Sequence, residues 1–201
     1  VFLPAAGNVE TPRERLVRVV AFMVAGLHLA AVSYPHLPWV AWPLGTQRHT
    51  VVLPDETRIR VDTEEDPLGT GPHALGARKA GFEVLSPAGA GFRIFGTDNV
   101  ACSLELPGAL CFSDGGDTAI EFTPGGSIVR FSLPRLRVGA SSWSLGLGST
   151  YEWVGSAHFV DEAGGVQCDL RFGEAAGAEG ADAVAGIVRD ALGFEIGRLR
   201  G

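Results

Sequence analysis

The run Thr118-Ala119-Ile120-Glu121-Phe122-Thr123-Pro124-Gly125-Gly126-Ser127-Ile128-Val129-Arg130-Phe131 reads as two short strands joined by a tight turn. Ile120 and Phe122 flank Glu121, and Val129 and Phe131 flank Arg130, so each segment has one apolar and one polar face. Pro124-Gly125-Gly126 continues neither segment and supplies the turn. The same rhythm runs outward in both directions. Upstream, Arg48 to Leu53 turns at Pro54-Asp55-Glu56 into Thr57 to Asp62. Gly76 to Leu85, Phe92 to Thr97, Ala101 to Leu106 and Leu110 to Ser113 follow. Downstream come Leu136 to Val138, Trp143 to Leu147, Tyr151 to Asp161, Val166 to Phe172, Ala183 to Asp190 and Phe194 to Leu199. About a dozen consecutive strands with tight turns predict an all-β meander. A sheet of that width tends to curl and close, because closure removes exposed edges. The expected fold is a near-closed antiparallel barrel with a lipid-sized cavity, since a barrel of this size is wider than its own side chains fill.

One helix precedes the strands. Thr11 is placed to cap it, Pro12 suits the first helical position, and Glu14 sits three residues after the cap. From Leu16 to Ala31 apolar residues surround most of the circumference, which predicts a helix over 11–31 buried against something large. Tyr34-Pro35-His36-Leu37-Pro38 cannot continue it. Residues 1–10 read as a short lid or leader remnant, and 11–201 as one domain. A chain that starts at Val1 reads as a piece of something longer.

The 201 residues carry a formal charge of −7 and a single lysine, Lys79. Nucleic-acid binding relies on neutralising phosphates with Lys and Arg, so no nucleic-acid partner is expected. No Lys/Arg-rich block is visible along the chain. Cys102, Cys111 and Cys168 form neither a CxxC pair nor an even set, which excludes a disulfide framework and points to a reducing, cytoplasmic setting. The apolar run Val19 to Val32 is too short to cross a bilayer. His28, His36, His49 and His158 have no ligand spacing, and the acidic run Asp62 to Asp66 reads as a solvated turn, so no metal is expected. There is no G-x-S-x-G elbow and no dinucleotide fingerprint, so neither an enzyme nor a bound cofactor is indicated.

Several stretches, in order, resemble the oxysterol-binding protein family. Asn8 to Phe22 is similar to the family's Thr-Pro start of an apolar helix. Trp42-Pro43-Leu44-Gly45-Thr46 resembles the end of its K-P-x-N-P-x-L-G-E signature. Ser127 to Leu136, the segments Gly139 to Gly148, Tyr151 to Phe159 and Val166 to Phe172, and finally Val184 to Gly193 with Leu199-Arg200-Gly201 resemble its later strands. The family's E-Q-V-S-H-H-P-P signature aligns with Glu65-Asp66-Pro67-Leu68-Gly69-Thr70-Gly71-Pro72. Its two phosphate-gripping histidines fall at Gly69 and Thr70, with His73 nearby.

The resemblance implies a lipid-binding or lipid-transfer domain that holds a sterol or other neutral lipid. Its phosphatidylinositol 4-phosphate head-group position, marked by Glu65, Gly69, Thr70 and His73, would be degenerate. Phe22, Leu27, Trp39, Trp42, Leu44, Phe92 and Phe95 are the expected lipid-contacting residues, although helix–barrel packing is the plainer reading for the two tryptophans. Burying a sterol-sized body contributes several kcal/mol at about 25 cal/mol per Å². The expected partner is a lipid, with transient, peripheral membrane contact. The rival is a degenerate barrel that serves as a structural or protein-interaction module. Convergence of Phe92, Phe95, Phe122 and Phe131 into a solid interior favours that rival.

Overall fold

The structure is a computed structural model. It describes residues 2–33, 47–66, 74–87, 89–105, 109–123, 125–139, 151–173 and 183–201. Two helices lead the chain, α1 (Phe2–Gly7) and α2 (Pro12–Ser33). Among the described residues twelve strands follow: β1 (Gln47–Val52), β2 (Arg58–Asp66), β3 (Ala74–Leu85), β4 (Phe92–Glu105), β5 (Ala109–Asp114), β6 (Thr118–Phe122), β7 (Ser127–Phe131), β8 (Arg135–Val138), β9 (Tyr151–Asp161), β10 (Val166–Phe172), β11 (Val184–Arg189) and β12 (Glu195–Arg200); the strand predicted over Trp143 to Leu147 lies outside the described residues. They form one sheet, and each pairing within it is antiparallel. The all-β meander is as the sequence predicts.

Two bends explain why the sheet divides and rejoins between β4 and β9. Strands β5 and β6 are two halves of one bent strand along β4, held in a single register by Gly115 N–H donating to Asn99 O at 3.1 Å and Thr97 N–H donating to Asp117 O at 3.0 Å. At the bend a Cβ on Gly116 would lie 1.9 Å from the Thr97 carbonyl oxygen, so only glycine fits. Asp114 fixes the bend by accepting from the backbone N–H groups of Asn99 and Gly116, both at 2.8 Å. Strands β7 and β8 form the second bent strand, along β9. They break around Pro134, which has no N–H for the ladder. The segments Phe92 to Thr97 and Ala101 to Leu106, read separately in the sequence, belong to the single long strand β4 up to Glu105.

Leu3 and Ala6 of α1 are buried against the core. Helix α2 starts as predicted, with Glu14 N–H donating to Thr11 Oγ1 at 3.3 Å. It is not buried all round. Leu16, Val19, Val20, Met23 and Leu27 form one buried stripe at helical spacing, whereas Leu29 is 61% exposed. The stripe meets Ile120, Phe122, Val129, Phe131, Phe159, Cys168, Leu170, Phe172 and Val188 from the strands. Phe131 and Phe159 stack with centroids 5.2 Å apart.

Two polar ties fix the helix to the sheet. Asp161 at the end of β9 is fully buried; it accepts from Arg15 Nε at 2.9 Å, Gly164 N–H at 2.9 Å and Ser127 Oγ at 3.2 Å. Trp153 Nε1 donates to the Leu27 carbonyl at 3.3 Å. Among the described residues, β1 and β12 each pair on one side only, so these two strands do not close on each other.

Candidate functional site

Alternation along the paired strands assigns the two faces of the sheet. A single cross-strand row runs Val51–Ile59–Val84–Ile94–Ile120–Val129, from β1 to β7. Its far end is the core, where Ile120 and Val129 are fully buried. Its near end emerges into solvent: Ile94, Val84 and Ile59 are partly exposed, and Val51 is 50% exposed. The next row on the same face runs His49–Val61–Phe82–Gly96. Together these rows make an apolar inner face on β1 to β4; α1 packs against it at β4, and no described helix is packed to that extent against β1 to β3.

The outer face of the same strands is charged. Arg48 and Arg60 pair with Asp62 at 2.6 and 2.9 Å, and Arg93 pairs with Glu83 at 2.6 Å. The hydrogen bond from Arg48, helped by Arg60, holds the Asp62 carboxyl below the usual carboxylate range. A second half-covered apolar patch, Cys102, Leu110, Phe112, Leu136, Val138 and Tyr151, lies on the inner face of the other end of β4, beside β5, β8 and β9.

The predicted contact residues divide by face. Phe92 lies on the inner face and packs against the core with Phe22, and Leu27 is part of that core. Phe95, an odd number of positions from Phe92, faces outward, with the Arg93 guanidinium 4.7 Å above its ring. Trp39, Trp42, Leu44, Gly69, Thr70 and His73 lie outside the described residues. Glu65 lies near the end of β2, its backbone opposite Arg78. The inner row from Val51 to Val84 escaped the sequence reading. Its alternation was visible in Ile59/Val61 and Phe82/Val84, but their shared row needs the strand register.

The space between α2 and the sheet is filled. Phe92, Phe122 and Phe131 converge there with Phe159 and Phe172, while Phe95 stays outside. No cluster of metal-ligating side chains occurs among the described residues. The three cysteines are buried, and burial pushes the Cys168 thiol up to about 12, which leaves it un-ionised and unreactive at neutral pH. No described helix is long and apolar enough to cross a membrane.

This architecture has a counterpart among solved structures. The crystal structure of the Osh3 ORD in complex with PI(4)P from Saccharomyces cerevisiae superposes with a TM-score of 0.60 over 98% of this chain, at 12% sequence identity. The fold is that of an oxysterol-binding-related domain. The chain spans only about half (54%) of the length of that structure. No family model matches the sequence. No curated protein matches it either.

Proposed function

We propose that the chain is a lipid-binding module that shelters the apolar body of a neutral lipid, such as a sterol, against the inner face of β1 to β4. One observation carries this reading: the row of β-branched side chains that leaves the core at Ile94 and runs, partly exposed, through Val84 and Ile59 to the exposed Val51. A sheet whose outer face is salt-bridged and whose inner face is apolar is patterned to meet something apolar. The neighbour in the solved structures holds a lipid, PI(4)P, in the same fold. Head-group recognition is a different matter. Phosphate capture needs fixed, charged donors, and the positions that align with the family's two histidines are Gly69 and Thr70.

The purified chain should carry or take up one sterol or phospholipid per molecule, read by native mass spectrometry. It should not extract phosphatidylinositol 4-phosphate from vesicles in preference to other lipids. Phe82→Ser, at a partly exposed position of the inner face, should abolish uptake while leaving the fold intact by circular dichroism. Head-group-dependent extraction would overturn the second half of the proposal.

The rival reading, a module that uses the same face for a protein partner, is favoured by the solid interior beneath α2. Absence of any lipid in the native spectrum, with uptake undetectable for both wild type and Phe82→Ser, decides for the rival.

A further inference from the structure

The opposite side of the molecule carries a second feature, independent of the inner face. On the outer face of β9 to β12 lies a groove of about 460 Å³ lined by Arg171, Arg189, Arg198 and Arg200, with Asp169 as its one carboxylate. The four cations come from three strands at every second position, which is why no basic block shows in the sequence. The register places Arg171 opposite Ala185 and Ala185 opposite Arg200. Arg171 and Arg200 thus flank a small side chain in one row, with Cα atoms about 10 Å apart at two strand spacings.

The charges are unevenly satisfied. Asp169 pairs with Arg189 and lies 2.6 Å from His158 Nδ1, and Arg198 pairs with Glu195 at 2.6 Å. Arg171 and Arg200 have no ion pair among the described residues, and both are exposed. In a chain of net charge −7, two arginines that flank an alanine in one row, each without an ion pair among the described residues, form a local site for negative charge. A guanidinium donates two parallel N–H groups, a geometry that matches phosphate oxygens, and the alanine leaves room between the forks.

We infer that this groove is a binding site for a phosphate monoester dianion, bridged by Arg171 and Arg200. A lipid resting on the inner face cannot place its head group here, because the sheet lies between them.

The test is calorimetric titration of the whole chain with inorganic phosphate, against sodium chloride at matched ionic strength. Phosphate should bind saturably at one site. The double variant Arg171→Gln/Arg200→Gln should weaken that binding by about tenfold or more, whereas Arg58→Gln, an exposed arginine on β2, should leave it unchanged. Both altered groove residues are exposed, and circular dichroism checks that the double variant folds. Phosphate heats no larger than the chloride control, or equal affinity in the double variant, would overturn the proposal. Two further arms identify the source of the phosphate. Binding of glycerol 3-phosphate without sedimentation on phosphatidylcholine vesicles containing phosphatidic acid marks a soluble ligand. Sedimentation on those vesicles that is lost in the double variant marks a lipid head group.

Discussion

The two ends of this sheet follow the same alternating pattern yet stand in opposite situations. On β6, β7, β9 and β10 the inner face joins α2 in one core, where Phe122, Val129, Phe131, Phe159, Leu170 and Phe172 are almost wholly buried. From β1 to β3 the inner face is apolar but less deeply buried, with Ile59, Val61, Phe82 and Val84 partly exposed and Val51, at the free edge, 50% exposed. The outer faces differ as well, with paired charges on the wing and an unbalanced cluster of arginines on β10 to β12. Strand pattern alone therefore sets which side chains share a face. It does not set whether that face is core or binding surface. The covering element decides, and here it is one 22-residue helix held by Asp161 and Trp153.

The sharpest test of that division is a matched pair of truncations. Phe159→Ala, beneath the helix and stacked on Phe131, should cost about 3–5 kcal/mol in denaturant unfolding, the range for an aromatic removed from a packed core. Phe82→Ala, on the open wing, should cost less than about half of that. Equal losses would mean the wing is as tightly packed as the core.

Ion pairs offer the next contrast. Arg15→Met leaves Asp161 buried without its partner and should cost about 3 kcal/mol or more. Arg48→Met breaks an exposed pair on the wing and should leave the melting temperature unchanged. Amide exchange should follow the same line: β9 and β10 protected up to global unfolding, β1 and β2 opening locally and exchanging faster.

The smallest expected effect is in acid. Burial on its own would raise the Asp169 carboxyl, but hydrogen bonds and charge from His158 and Arg189 outweigh it and hold the group below its usual 3.8. Asp62 on the wing is depressed from the same value by Arg48. A depressed carboxyl stabilises the folded state above the unfolded value and loses that contribution as pH falls through the folded one, so both contributions are full well above about pH 4 and decline progressively as the pH falls below it. Asp169→Asn and Asp62→Asn should each flatten the acid limb of a stability profile slightly, because both sites reach solvent.

The hairpin Thr118 to Phe131 shows how much of the fold was readable in advance. Its alternation and its Pro-Gly-Gly turn specify two strands, and both form with Ile120, Phe122, Val129 and Phe131 on the inner face. The capping of α2 by Thr11 was equally legible, because caps and turns depend on neighbours within a few residues. The fate of Phe95 was legible in part, since an odd spacing from Phe92 already separates their faces.

Local chemistry thus determined the strands, the turns and the start of the helix. Tertiary structure alone decided that the helix is buried along one stripe, that phenylalanines pack beneath it, and that the apolar row from Val84 to Val51 emerges toward solvent at β1. It alone gathered Arg171, Arg189, Arg198 and Arg200 into one groove. The reason is register: which residues become neighbours across a sheet depends on how strands far apart in the chain pair, and no single segment carries that information.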